Sequence, residues 1–304
     1  MQRSLVGSEM CIRDRVDICH LRTERQKLPF AKMQTCGNDY IFLENFDGEI
    51  TCPESLCVTF CDRHYGIGAD GIVLMEHSQK ADARMRMFNA DGSEAEMCGN
   101  GIRCVAKWCV DSGTVGKDEF TIHTLAGDLK AETFRKDDGT VGTVRIDMGA
   151  PILDARSVPV DRDGRFIDEP FDADGVPIRA SAVSMGNPHF ITFTPLTDEQ
   201  VDRLGPVLER HPFFPRKTNV EFCRVEDGKI HIRVYERGAA WTLACGTGAC
   251  ATTTAAALIG LVPFDTAVDV HLPGGWLKIT VDKQLRYVLM EGPAELVFTG
   301  ETEE

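Results

Sequence analysis

The sequence predicts an α+β protein built from two copies of one module, each a set of short strands around a single helix. Two observations carry that prediction. The stretch "CGNDYIFLE" at 36–44 has an echo in "MGNPHFITF" at 185–193, and "MCGNGIRC" at 97–104 has one in "ACGTGACA" at 244–251. The spacing agrees as well: 60 positions separate Asn38 from Cys98, and 58 separate Asn187 from Cys245. Nine positions before each cysteine, a strand-like run ends in a polar residue, "MRMFN" at Asn89 and "HIRVYE" at Glu236. Repeats at a fixed spacing mark repeated structural units.

In the first half, short apolar or alternating runs at 40–44, 71–75, 84–88, 120–124 and 143–147 read as strands. After Cys98, "IRCVAKWCVDSG" places Ile102, Val105, Ala106 and Cys109 on one helical face, and Gly113 ends it. The second half offers strands at 189–193, 219–224, 230–235, 268–272, 277–281 and 286–290, with Gly, Pro and Asp clusters between them. Its helix, "ACATTTAAALIGLV", is apolar nearly all round, the pattern of a helix enclosed by sheet. A join near Met148–Pro151 leaves halves of similar size, and the cleft between them is the default site.

Composition limits the function. Of the 304 residues 43% are hydrophobic and 26% charged, as in soluble globular proteins, and the net charge is −14. That charge argues against nucleic acid or an anionic membrane as partner and leaves a small molecule. No apolar run reaches the ~20 residues of a membrane span. Twelve cysteines in a chain this long, with no C-x-x-C, read as reduced thiols in a cytoplasm. Cys52, Cys57 and Cys61 lack partners at zinc spacing and read as buried small hydrophobes. Residues 1–27 have no strand or helix period, and "VGSEMCIRDR" resembles translated sequencing-adaptor DNA. They are expected to be a non-native or disordered extension, the protein itself starting near Leu28.

A cysteine at a helix start sits where the exposed N–H groups favour a thiolate. The glycines of "CGNGI" and "CGTGA" let those N–H groups approach a carboxylate closely. Two such segments facing one anionic substrate supply an acid, a base and a carboxylate clamp together. Inversion at an amino-acid α-carbon needs a base on one face and an acid on the other. It also needs donors already in place for the developing enolate. Singly, each cysteine reads better as an inert core residue; the repeat reverses that. Cys98 and Arg103 are separated by four residues, one too few for a phosphatase loop. A cysteine hydrolase with His189 as partner leaves the second Cys-Gly-x-Gly unexplained. A non-catalytic amino-acid-binding module would use the helix starts but not two cysteines.

From about Leu28 onward the chain resembles diaminopimelate epimerases. The resemblance rests on "FAKMQTCGNDY", "RHYGIGADG", "FNADGSEAEMCGNGIRC", "SMGNPHF", "TNVEF", "VYERG", "ACGTGAC" and "LPGG", in that order. It implies two pseudo-symmetric domains, each a β-barrel-like sheet around a central helix. The first would comprise 28–147 plus 293–304 and the second 148–292. It implies cofactor-independent interconversion of LL- and meso-2,6-diaminopimelate in lysine and peptidoglycan precursor synthesis, with no metal, by a homodimer. Cys98 and Cys245 would be the acid/base pair, and backbone amides of Gly99, Asn100, Gly246 and Thr247 would hold the reacting carboxylate. Asn38, Asn89, Asn187, Asn219, Glu236 and Arg237 would bind the substrate, several of them at its distal, non-reacting end. These residue types suit a zwitterionic amino-acid centre, with an arginine fork for a distal carboxylate and uncharged amides that both donate and accept. Taken alone, each asparagine also reads as a turn residue, and Glu236–Arg237 as a surface pair. Two departures stand out: Ala240-Trp241 where the family commonly has Gly-Glu, and Gly71 where some members have glutamine. Histidine-type and proline-type racemases share the implied fold and remain alternatives.

Overall fold

The computed structural model of the chain describes residues 27–95 and 98–302. The expected non-native character of 1–27 therefore falls, apart from Lys27, outside the described residues.

Strand β1 (Leu28–Thr35) turns tightly into β2 (Asn38–Glu44), which runs parallel to β3 (Gly71–Glu76). A parallel pair needs a crossover, and α1 (Pro53–Phe60) supplies it. Antiparallel β4 (Ala83–Asn89) follows, with the short β5 (Glu94–Ala95) on it and then α2 (Gly99–Asp111). Strand β6 (Glu119–Thr124) returns parallel to β4, and β7 (Gly127–Arg135) and β8 (Val141–Asp147) complete a meander.

The second half repeats this order. After β9 (Glu169–Ala173), β10 (Val176–Ser184) pairs with β11 (Pro188–Thr192), as β1 does with β2. Helix α3 (Asp198–Glu209) makes the crossover to β12 (Asn219–Glu226), parallel to β11. Then come β13 (Lys229–Glu236), β14 (Ala240–Thr242), α4 (Gly246–Leu258), β15 (Val268–Leu272), β16 (Gly275–Val281) and β17 (Val288–Pro293). Their pairings copy those of β4 to β8, including the parallel β13–β15 step. The halves join where β8 and β17 run antiparallel, Ile146 opposite Met290. Strand β18 (Glu295–Thr302) lies antiparallel to β1.

Each sheet wraps one helix. Helix α2 packs on β1, β4, β7 and β8, and α4 on β10 to β13 and β15 to β17. Both are buried almost throughout. The polar residues this encloses are satisfied locally. Lys107 Nζ donates to Asp111 and to the Val141 carbonyl, and the Thr253 and Thr254 hydroxyls donate to carbonyls one turn back.

All the expected strands and both expected helices are present. Helices α1 and α3 and strands β1, β5, β7, β9, β10 and β14 were not anticipated, and β18 only through the resemblance, which implies a C-terminal strand from about Pro293. Cys57 and Cys61 are buried free thiols as expected, but Cys52 is only half-buried and is disulfide-bonded. No helix among the described residues is long and apolar enough to cross a membrane.

Candidate active site

Cys98 and Cys245 occupy the same position in the two halves, the N-cap of the enclosed helix. Both have extended backbones, with φ/ψ of −132°/117° and −127°/105°. Each sulfur accepts from the N–H three residues on, Gly101 at 3.4 Å and Gly248 at 3.3 Å. The side chain thus caps one free donor of the first turn, while the N–H groups of Gly99, Asn100, Gly246 and Thr247 have no intrahelical acceptor. These residues line one cavity of about 1330 Å³ to which both halves contribute. Met290 of β17 sits between the two helix starts. A Cβ on Gly246 would lie 2.9 Å from its sulfur, and one on Gly99 would lie 3.1 Å from its methyl group. A side chain at either place would press on Met290, so glycine leaves the two helix starts room to approach.

The two sulfurs have different surroundings. Cys98 is half-buried and faces the cavity, with the Tyr40 hydroxyl 3.0 Å away. Cys245 is only 5% exposed. Burial, with the Glu236 and Glu221 carboxyls nearby, pushes its thiol well above the usual range, against the Thr247 hydroxyl and the Gly248 N–H. The general expectation of a thiolate at a helix start is therefore reversed for Cys245, because losing water costs the anion more than the helix terminus returns. Burial also raises the Glu236 carboxyl, which accepts from the Thr242 hydroxyl at 2.5 Å. His189 is fully buried, with Nδ1 2.5 Å from Glu221 Oε1 and Nε2 3.0 Å from Asn187 Oδ1. With both ring nitrogens engaged, His189 does not serve a cysteine hydrolase.

Asn38, Asn89, Asn187, Glu236 and Arg237 all reach the cavity wall. Asn219 does not: at 3% exposure its amide donates to the Pro188 carbonyl and accepts from the Arg237 N–H. It fixes the backbone that carries Arg237. Sequence reading missed Tyr40, Arg63 and Arg216 in the wall. Tyr40 lay within a recognised repeat and was readable there, whereas the two arginines sit in segments with no periodic signal. Trp241 borders the cavity, and its indole packs edge-on to Tyr235 at 5.2 Å, with the Arg233 guanidinium 4.6 Å from its centroid. Gly205 of α3 makes room for it. The indole is thus accommodated largely against α3 and β13. Among the described residues no group of three His, Cys, Asp or Glu side chains could hold a metal ion.

Two repeated half-sheets each present a capping cysteine to one cleft. Solved structures agree on the fold. A phenazine biosynthesis protein of the PhzF family from Bacillus anthracis superposes with a TM-score of 0.67 at 16% identity, covering 91% of this chain and 99% of that one. A probable proline racemase from Agrobacterium radiobacter K84 gives 0.65 at 17% identity, covering 90% and 92%. Closer relatives are named diaminopimelate epimerase. The protein from Desulfovibrio desulfuricans is 46% identical over 283 residues, 90% of this chain and 98% of its own length. That from Methanococcus maripaludis strain S2/LL is 46% identical over 277 residues, 90% and 99%. The profile of the family described as diaminopimelate epimerase matches residues 30–153 and 181–297. The chain belongs to the diaminopimelate epimerase family.

Proposed function

We propose that this chain interconverts LL- and meso-2,6-diaminopimelate by proton transfer between two cysteines. One observation carries the reading: two helix-capping thiols, related by the repeat, line the same cleft beside free backbone N–H groups. In the LL-to-meso direction the Cys98 thiolate takes the α-proton and becomes a thiol. The electron pair left on the α-carbon passes into the carboxylate, which the N–H groups of Gly99, Asn100, Gly246 and Thr247 stabilise as it gains charge. The Cys245 thiol returns a proton to the opposite face and becomes the thiolate. Burial keeps the proton on Cys245 until the carbanion forms. The reverse reaction exchanges the roles.

Asn38, Asn89, Asn187, Glu236 and Arg237 would bind the substrate, several of them at its distal amino-acid centre, where the Arg237 guanidinium would pair with the carboxylate. Asn219 contributes by positioning Arg237. Residues 28–147 with 293–304 would form one lobe and 148–292 the other, a division supported by the β1–β18 pairing. A homodimer is supported by β18, an edge strand on which Leu296, Val297 and Phe298 are 46%, 55% and 46% exposed. Light scattering should give twice the chain mass. Cys98 and Cys245 are free thiols, as the reaction needs and a reducing cytoplasm would maintain, whereas the disulfide at Cys52 runs against reading every cysteine as reduced.

The deciding experiment is turnover of LL-diaminopimelate, histidine and proline, followed by chiral chromatography in deuterium oxide. Epimerisation of diaminopimelate alone, with deuterium entering at the α-carbon, is the expected result. Racemisation of histidine or proline instead would assign another substrate, and turnover without deuterium entry would remove the proton-transfer mechanism.

A further inference from the structure

Tyr40 is buried in β2 at 3% exposure, its ring edge-on to Phe42 at 89°. Its hydroxyl stands between two partners, Cys98 Sγ at 3.0 Å and Asn38 Oδ1 at 2.5 Å. A phenol has a single hydrogen, so it donates to one of them at a time. Which one it serves follows from the network behind it, and the direction of that network is set by Arg103.

Arg103 is fully buried and can only donate. It donates to the Gly99 and Pro293 carbonyls, to the Thr35 hydroxyl, and to Asn100 Oδ1 at 3.0 Å. Asn100 must then present its Nδ2 to Asn38 Oδ1, 3.1 Å away. The Asn38 amide is held the same way round from its other end, because its Nδ2 donates to Asp70 Oδ2 at 2.6 Å. Asn38 Oδ1 is therefore an acceptor only. While Cys98 carries its proton, S–H has two acceptors, Tyr40 Oη at 3.0 Å and Asn38 Oδ1 at 4.0 Å; the closer one takes it, and Tyr40 donates to Asn38. Once Cys98 is a thiolate it has no hydrogen to give. The Tyr40 hydrogen can then turn to the sulfur, since Asn38 Oδ1 keeps its bond from Asn100.

We propose that Tyr40 is a further catalytic residue, whose hydroxyl donates to the Cys98 thiolate and accepts from the Cys98 thiol, its hydrogen following the charge on sulfur. This rests on the two-cysteine reading above and extends it. No bond to the phenol oxygen breaks: the hydroxyl rotates and Tyr40 stays neutral throughout. Burial, and the neighbouring Cys98, push its phenol well above the usual range, which keeps it neutral. The titratable and charged groups around hydroxyl and sulfur are Asp70, before β3, and Arg103 and Cys104 on α2. The second half has no tyrosine there: His189 holds the matching place after Asn187 but turns to Glu221, and the hydroxyl nearest Cys245 Sγ is that of Thr247, at 3.5 Å.

The experiment is alkylation of Cys98 by iodoacetamide across pH, read on the Cys98 peptide by mass spectrometry, in wild type and Tyr40→Phe without substrate. Losing one hydrogen bond to a charged sulfur should move the midpoint up by about 1 pH unit and lower kcat about tenfold, with little change in KM. Superimposable alkylation curves would overturn the proposal. Should Tyr40→Phe fail to fold, 3-fluorotyrosine in place of the chain's 4 tyrosines supplies a second variant. Its more acidic phenol should lower the Cys98 midpoint, and an unchanged midpoint would again overturn the role. Either result stands apart from the two-cysteine reading, which fails only if Cys98→Ala retains turnover.

Discussion

The two halves of this molecule place a cysteine at the same point of the same fold, yet they give it different neighbours. In the first half the sulfur faces the cleft and meets a tyrosine hydroxyl tied through Asn38 and Asn100 to a buried arginine. In the second half it is enclosed, with two carboxyls close by. Each sulfur accepts from a backbone N–H, but only the second has carboxyls beside it. The comparison teaches that the backbone device at the helix start is only a platform. Burial and non-local side chains push the Cys245 thiol up, against what the helix start alone would do.

The sharpest way to break the comparison is to remove either sulfur. Cys98→Ala and Cys245→Ala should each lower epimerisation at least ~10³-fold while leaving the circular dichroism spectrum unchanged, the range expected for losing a proton-transfer group. Near-normal turnover by either variant would end the two-base scheme. Next, the sulfurs should differ in reactivity. At pH 8 iodoacetamide should modify Cys98 at least about tenfold faster than Cys245, which burial keeps protonated and shielded. Equal rates would erase the proposed asymmetry.

A smaller effect concerns Glu221, whose carboxyl burial raises above its ordinary value near 4.5, against the pull of His189. A folded-state pKa above the unfolded one gives stability that is complete below the unfolded value and is lost as pH rises through the folded one. The Tm of Glu221→Gln relative to wild type should therefore climb as pH rises from about 4.5. A constant difference would show that Glu221 titrates normally. The smallest effect belongs to Trp241. Trp241→Ala should cost about 1–2 kcal/mol in urea unfolding through lost contacts with Tyr235 and Arg233, and change KM less than about threefold. A much larger KM change would place the indole in the substrate site.

Much of the fold was legible because the strands flanking each enclosed helix are apolar or alternating. The elements that went unread have physical excuses. Strand β9 carries too few buried positions to show a period, and β18, exposed along most of its length, was readable only through the resemblance. Helix α1 spans only 8 residues. Helix α3 did carry a signal, since Thr197 and Gln200 form a capping box, but Gly205 and Pro206 interrupt the pattern that follows. In the site, the cysteines and their glycines were visible because the repeat pairs them. Asn219 is expected among the substrate contacts, and in the structure its amide also ties the Pro188 carbonyl to the Arg237 N–H. Nothing in its neighbours along the chain reports that.

The sequence by itself determined that there are two modules, that each starts its central helix on a cysteine, and that glycine follows so that backbone N–H groups stay open. Those are local properties, set by residue type and spacing. Only the tertiary structure decided that the two cysteines are unlike. Desolvation of Cys245 and the Tyr40 hydroxyl on Cys98 come from strands far away in the chain, and neither burial nor a hydrogen-bond partner is written in the residues beside a thiol.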